Sequence, residues 1–543
     1  MRKPLRIGLS ILSGMLLSLP WYEWMSGLVL LIAFLPLLKV EDFFYRNKYH
    51  YRSIEATKCA ALTFLTWNLF STWWIMNASF VGLIMALLIN TLLMSLVFWL
   101  FHVTKRRLGM HAGYSSLVLY WLAFEFFYMN AEISWPWLNL GNGFAYDVLL
   151  VQWYEFTGIL GGTSWVLLVN VMLFASLKLY AGYPPAKKIK GITGLTFLLI
   201  IIPLITSLYL YYTHEEKGNA KEIVVVQPNI DPYKKFKEIP VKVQLNKMLH
   251  LADSLVDEDT DYVLFPETAV IDNIWEQDLP IQRSIRELKR FLKSYPNTTL
   301  ITGIISYIKY DTPVPPTPTA RKIKNTGYYF DSFNTAIQLN NKKEIPVYHK
   351  SKLVVGIEKM PYPKYLGFLR KLTVRLGGAF RSHGTQEFRE VFYTADDSTG
   401  VAPVICYESV FGEFVTGYIK NGADLIFILT NDGWWDNTPG HRQHHAFARL
   451  RAIETRRSIA RSANTGISSF INQRGDVLQQ ITWWKAGAIK SNIKANSEIT
   501  FYTRHGDFIG RIAMFFSGLL ILYLLVSVFL SREKKTPPPA YPT

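Results

Sequence analysis

The sequence predicts a two-part fold: a membrane α-helical bundle of eight spans and a layered α/β domain outside it. Of the 543 residues, 50% are hydrophobic and only 18% charged, too apolar a balance for two ordinary soluble domains. The apolar residues also gather in long runs before residue 213 and after residue 508, while short β-branched runs alternate with amphipathic helices between them.

A transmembrane helix takes about 20 mostly apolar residues, and such stretches predict spans near 5–20, 25–40, 57–77, 81–102, 114–130, 162–181, 191–213 and 509–531. The first has the basic start of a signal peptide, but no small-residue cleavage pattern follows, so it is expected to be retained. Residues 1–213 then form a seven-span domain, 214–508 a catalytic domain, 509–531 the eighth transmembrane helix and 532–543 a cytoplasmic tail. That tail, with Pro537, Pro538 and Pro539, is expected to be disordered.

The net charge of +17 would suit nucleic acid, but most of the excess lies in the connections between apolar runs, which argues against that partner. Connections 41–56, 103–113 and 182–190 carry Lys and Arg, whereas 19–25, 77–80 and 131–161 carry none. The positive-inside rule therefore puts both termini in the cytoplasm and residues 214–508 outside, in the periplasm of a bacterium with two membranes. Trp21, Tyr22, Trp24 and Trp73 read as interfacial anchors. Glu125, set among Phe124, Phe126 and Phe127, must face a partner or a cavity, and both a functional and a structural role stay open.

In the middle segment, strands are predicted at 222–227, 262–265, 299–304, 335–339, 401–406, 423–429, 458–461 and 467–472. Helices are predicted at 239–256, 281–294, 410–421 and 440–456. The alternation argues a layered α/β domain. The chain has two cysteines, Cys59 and Cys406, with no metal-ligand spacing about either, so Cys406 is expected to be a free thiol.

Three chemically apt residues stand where strands end: Glu267 after Tyr-Val-Leu-Phe-Pro, Lys350 after Pro-Val-Tyr-His and Cys406 after Val-Ala-Pro-Val-Ile. A thiol attacks as thiolate and needs a base or a cation beside it. Glu267 can take the proton and Lys350 can hold the oxyanion formed when Cys406 attacks a carbonyl. Taken singly, such a Cys is ordinarily a small buried hydrophobe and such a Glu or Lys a solvated charge.

The local sequences around all three change that. Phe-Pro-Glu-Thr (265–268), Tyr-His-Lys-Ser-Lys-Leu-Val (348–354) with Glu358, and Pro-Val-Ile-Cys-Tyr-Glu (403–408) resemble the signatures of the carbon–nitrogen hydrolase (nitrilase) superfamily. With eight spans around them they resemble its apolipoprotein N-acyltransferase family. Ser-Trp-Pro-Trp-Leu (134–138), Glu-Phe-Thr-Gly (155–158), Val-Gln-Pro-Asn-Ile (226–230), Thr-Asn-Asp-Gly-Trp (430–434), Arg-Ser-Ala-Asn-Thr-Gly (461–466) and Tyr-Thr-Arg-His-Gly-Asp (502–507) extend the likeness.

The resemblance implies an αββα sandwich over 221–506 and a ping-pong acyl transfer without cofactor. A phospholipid donates its acyl chain to Cys406, and a diacylated apolipoprotein accepts it on its N-terminal cysteine amine. Glu267 would be the base, Lys350 the oxyanion holder and Cys406 the nucleophile. Glu358, Tyr407, Glu408 and Trp434 would shape the site. The chain departs from the family's pattern at Phe236, where Trp is usual, at Ser351-Lys352 in place of Asn-His, and at Val355-Gly356-Ile357 in place of Pro-Phe-Gly.

Apolar residues interleaved with Lys and Arg over 359–382 suit an arm in the membrane interface, the alternative being a plain surface helix and loop. His441, His444 and His445 are expected to be surface histidines of a helix, and no metal is expected. Two other readings compete: a membrane-tethered amidase of the same superfamily, disfavoured by the spans, and a non-enzymatic scaffold on the same fold, disfavoured by the intact Glu267, Lys350 and Cys406.

Overall fold

A computed structural model describes residues 1–181, 186–362, 382–394 and 398–533. Most of the predicted interfacial arm, 363–381, and the tail from 534 lie outside the described residues.

Among these residues five helices are long and apolar enough to cross a membrane: Lys3–Trp21, Phe80–Leu108, Tyr154–Leu179, Lys190–Thr213 and Phe508–Leu530. The protein is thus a multi-pass membrane protein. Exposed leucines at Leu88, Leu92 and Leu96 form a lipid-facing stripe at helical spacing on the second of these. The other three predicted places also hold helix, for physical reasons of a different kind. Residues 27–46 are broken into Gly27–Val29, Leu30–Ala33 and Leu35–Arg46. Pro36 starts the last piece, and the Phe34 N–H at the break donates to Asn170 Oδ1 at 2.9 Å. Ser53–Thr72 and Met110–Asn130 are long enough but carry polar groups turned inward, such as Thr63, whose Oγ1 donates to Ser10 O at 2.9 Å.

Glu125 is one of these inward groups. Its Oε1 accepts from Trp121 Nε1 at 3.0 Å and Leu140 N at 2.9 Å, and its Oε2 from Thr163 Oγ1 at 2.7 Å. The carboxylate ties its helix to the segment after it and to the helix Tyr154–Ala181, which is the structural alternative.

The middle segment folds into two sheets. The first contains β1 (Asn219–Gln227), β2 (Tyr262–Leu264), β3 (Val270–Trp275), β4 (Thr299–Tyr310), β5 (Arg321–Lys322), β6 (Tyr329–Leu339), β7 (Val347–His349) and, closing its edge, β14 (Gly487–Ala495). Its order is β14-β1-β2-β4-β6-β5, with β3 on β4 and β7 on β6. The second runs β13-β12-β11-β10-β9-β8, formed by β8 (Phe392–Tyr393), β9 (Gly400–Ile405), β10 (Leu425–Thr430), β11 (Ile459–Ala463), β12 (Ser468–Ile471) and β13 (Val477–Ile481).

Alternation along the strands dictates the layers. Val224, Val226 and Val263 pack with Leu245, Met248, Ile285 and Leu288 of helices Val241–Asp253 and Arg283–Leu292. Their neighbours Ile223, Val225, Tyr262 and Leu264 point the other way, into one core with the second sheet, where Tyr262 meets Phe427 edge-on at 5.2 Å. Helices Gly412–Lys420 and Pro439–Thr455 belong to the second sheet's layer. The result is an αββα sandwich.

The expectation of surface histidines fails. His441, His444 and His445 are all buried: His441 stacks on Trp483, His445 meets Ser469, and His444 lies on Asp432 and Cys406 with Trp137 of the N-terminal helical domain beside it. Gln443 is the join: Trp74 Nε1 and Trp137 Nε1 donate to its Oε1 at 3.2 and 2.7 Å, and its Nε2 donates to Trp21 O at 2.9 Å.

Candidate active site

Cys406 is the first residue after β9, at the start of a turn over Cys406–Val410. Its φ of 50° lies in the left-handed region, uncommon for a residue with a side chain. Ser409 Oγ braces the turn by donating to Cys406 O at 2.7 Å. Burial pushes the Cys406 thiol up, the Glu267 carboxylate adds to this and the Lys350 ammonium opposes it.

Glu267 follows β2, and β4 comes up against it closely. A Cβ on Gly303 would stand 2.6 Å from Thr268 N and 2.7 Å from Pro266 O. Lys350 follows β7, its N–H bonded to Asn334 O at 2.8 Å. Lys350 Nζ donates to Glu267 Oε1 at 3.0 Å and to Glu358 Oε1 at 2.9 Å. Burial alone would lower the Lys350 ammonium, but the two carboxylates override it and hold it protonated. Against the same burial, Lys350 holds Glu358 below the usual carboxylate range, helped by the Val354 N–H at 2.8 Å.

The structure therefore brings Glu267, Lys350, Glu358 and Cys406 together. Glu408, fully buried, accepts from Ile405 N at 2.8 Å, Ser351 N at 2.6 Å and Tyr348 OH at 2.7 Å. Tyr407 OH donates to Ser134 O at 3.0 Å, and its ring stacks on Trp135 at 6.3 Å, in the segment between two membrane helices. Trp434 packs on Tyr233 and on Phe236, with centroids at 5.3 and 6.4 Å, so the Phe at that variant position still supplies an aromatic face. Its neighbour Trp435 is the one that lines the cavity of Cys406.

Two residues were not picked out in the sequence. Asn334, on β6, donates from Nδ2 to Glu267 Oε1 at 2.7 Å and to Glu358 Oε1 at 3.1 Å, so it sets the spacing of the carboxylates. Lys235 is buried, and its Nζ donates to Glu267 O at 3.2 Å and Thr268 Oγ1 at 3.0 Å, with burial bringing it down to about 7. Neither lies in a motif, and only strand pairing and loop packing bring them to Glu267.

The site opens into an apolar cavity of about 250 Å³. Met85, Ala86 and Ile89 of the helix Phe80–Leu108 form one wall, Tyr128 another, and Val354 and Ile357 a third, with Cys406 at the edge. Cys406, Asp432 and His444 also place ligand atoms within 4.8 Å of one another. Asp432 is already occupied by the Arg461 guanidinium at 2.7 Å, which stands where a cation would sit.

The carbon–nitrogen hydrolase family matches residues 223–500, and the apolipoprotein N-acyltransferase N-terminal domain matches residues 13–172. The apolipoprotein N-acyltransferase of Chlorobaculum tepidum is 28% identical over 95% of this chain and 96% of its own. That of Thermotoga maritima is 25% identical over 97% and 94%. An amidase of the nitrilase superfamily from Nesterenkonia aligns with 54% of this chain and 97% of its own at 14% identity, with a TM-score of only 0.36. By the two family matches and the length over which the relatives align, the chain belongs to the carbon–nitrogen hydrolase family and, within it, to the apolipoprotein N-acyltransferases.

Proposed function

We propose that the protein N-acylates lipoproteins, moving a fatty acyl chain from a phospholipid through a thioester on Cys406 to the N-terminal cysteine amine of a diacylated apolipoprotein. One observation carries the reading above all. The thiol beside Glu267 and Lys350 borders a cavity walled by membrane helices, the surroundings suited to an acyl chain and not to a small soluble amide.

In the first half-reaction Glu267 takes the thiol proton and Cys406 Sγ attacks the ester carbonyl. Lys350 holds the oxyanion, and its collapse breaks the ester bond. The lysophospholipid alkoxide leaves with the proton from Glu267. In the second, the acceptor amine attacks the thioester, Glu267 takes the amine proton, and the amide forms as Cys406 departs as thiolate. Glu358 and Asn334 keep Lys350 and Glu267 in place, Glu408 fixes the turn, and Tyr407 and Trp434 shape the walls. Both substrates stay in the bilayer, sparing the cost of ~0.8 kcal/mol for each CH₂ brought into water.

The topology that goes with this reading has eight spans, the three short or polar helices completing the five apolar ones. Both termini are cytoplasmic, the domain 214–508 faces the periplasm, and the protein resides in the bacterial inner membrane. Intact mass spectrometry after incubation with phospholipid tests the chemistry, with wild type beside Cys406→Ala. A fatty-acyl increment on wild type, released by hydroxylamine and absent from the variant, is the expected result. A folded wild type that takes no acyl group overturns the reading.

A further inference from the structure

Lys350 is committed on two sides. Its ammonium lies between Glu267 and Glu358, and the three together carry a net negative charge. A thiolate on Cys406, already disfavoured by burial, gains little from a cation so occupied. A second group of charges lies against the same thiol: a His444 ring nitrogen, an Asp432 carboxylate oxygen and Cys406 Sγ are within 4.8 Å of one another.

The partners of His444 fix its protonation. Nδ1 lies 2.9 Å from Asp432 Oδ1, and Nε2 lies 3.2 Å from Cys406 O and 3.1 Å from Ser409 Oγ. Ser409 already donates to Cys406 O at 2.7 Å, so its proton is spent. A neutral ring protonated on Nδ1 would turn its Nε2 lone pair on the carbonyl oxygen of Cys406. A ring protonated on both nitrogens donates to Asp432 Oδ1 and to Cys406 O, while Arg461 Nη2, 3.2 Å from Nδ1, donates to the other carboxylate oxygen of Asp432. Trp137 lies tilted against the ring and Trp435 stands edge to face with it, with centroids 5.9 and 5.6 Å away, so both enclose it.

The other charged groups around the ring are accounted for. Arg461 Nη2 lies 2.7 Å from Asp432 Oδ2 and 3.2 Å from His444 Nδ1, so one carboxylate serves two cations. Burial opposes ionisation of Asp432, yet Arg461 and then His444 hold it well below the usual carboxylate range. On the same helix, burial brings His441 down to about 4 and His445 well below its ordinary value, so both stay neutral. On Cys406 itself burial, Glu267 and the Asp432 carboxylate raise the thiol and Lys350 lowers it.

We infer that His444 is a positioning residue, an imidazolium whose Nε2–H holds the Cys406 carbonyl in the left-handed turn and whose charge, set by Asp432, stabilises the Cys406 thiolate. The inference rests on reading Cys406 as the nucleophile, but its test does not need acyl transfer. Full-length protein in detergent, with Cys59→Ser to silence the second thiol, is alkylated with iodoacetamide across a pH series, and the Cys406 peptide is quantified by mass spectrometry. His444→Gln and His444→Asn each keep a donor but not the charge, and leave the Asp432 carboxylate, which itself raises the thiol, in place.

Both variants are expected to move the alkylation midpoint to higher pH and to slow alkylation at neutral pH by about tenfold per unit moved. The plateau at high pH stays at the wild-type rate, because the thiolate once formed is the same nucleophile. A folded variant of either kind with the wild-type midpoint overturns the inference, and His444→Asn keeps the test available if His444→Gln does not fold. A wild type that alkylates normally but takes no acyl chain from phospholipid would sink the acyltransferase chemistry and leave the role of His444 standing.

Discussion

Glu408 Oε1 accepts the backbone N–H of Ser351 at 2.6 Å, so one buried carboxylate joins the turn that carries Cys406 to the loop that carries Lys350. Its Oε2 meanwhile accepts Ile405 N at 2.8 Å, just before the thiol. Cys406 and Lys350 come from different strands of different sheets, and this side chain fixes their separation.

Glu408→Ala should therefore lose stability and activity together. It leaves the buried donors of Ser351, Ile405 and Tyr348 without their acceptor, at roughly 1–3 kcal/mol for each. Acyl transfer is expected to fall by about a hundredfold, the scale of a displacement near 1 Å. Thermal unfolding and a thioester assay on one preparation would check both, and an Ala variant with wild-type turnover would refute the bridging role.

Gly303→Ala tests how Glu267 is placed. The added methyl would meet Thr268 N and Pro266 O at 2.6 and 2.7 Å, backbone atoms that cannot rotate away. A loss of about 1–3 kcal/mol is expected from the forced shift, together with a lower rate of thioester formation. Denaturant titration and single-turnover acylation measure the two effects.

Ala86→Phe fills the apolar cavity from the helix Phe80–Leu108 without touching a charged group. Acylation by long-chain phospholipid is expected to drop by roughly tenfold or more while short-chain donors are spared, since a few methylenes of lost space are worth that much. A series of donors of increasing chain length reads this out. Equal loss at every length would mean that the acyl chain lies elsewhere.

Acid stability should depend on Arg461. Asp432 is held well below the usual carboxylate range in the folded state, against about 3.9 in an unfolded chain. Its contribution is complete above the unfolded value and is lost as pH falls through the folded one, because the unfolded chain then binds the proton more readily. In Arg461→Met the folded value rises, so the contribution is smaller and its loss is complete at a higher pH. Tryptophan fluorescence is expected to show the acid-unfolding midpoint moved up by roughly one unit, and an unmoved midpoint would mean that His444 alone holds the carboxylate.

Much of the architecture was legible in the sequence. Long apolar runs marked the long helices of the N-terminal domain but not the short helical turns Pro136–Leu138, Leu140–Phe144 and Val148–Leu150, and the segments ending at Phe265, His349 and Ile405 marked the three residues that the structure gathers into one site. The two-residue strands β5 and β8 were not legible, and neither were β3, β13 and β14, which their pairing in the sheets makes strands.

What the sequence determined by itself was whatever local free energy decides. A run of about 20 apolar residues is favoured in lipid whatever its neighbours, and an alternating run before a Pro or a polar turn is favoured as a strand. Only the tertiary structure decided which polar groups are buried together. Ile428 of β10 pairs with Arg461 of β11 in parallel register, and Arg461 reaches Asp432 just past the end of β10. Packing likewise turned three expected surface histidines of the helix Pro439–Thr455 inward, His441 onto Trp483, His445 onto Ser469 and His444 onto Cys406. Those contacts join residues some tens of positions apart in the chain, and no local pattern carries their energy.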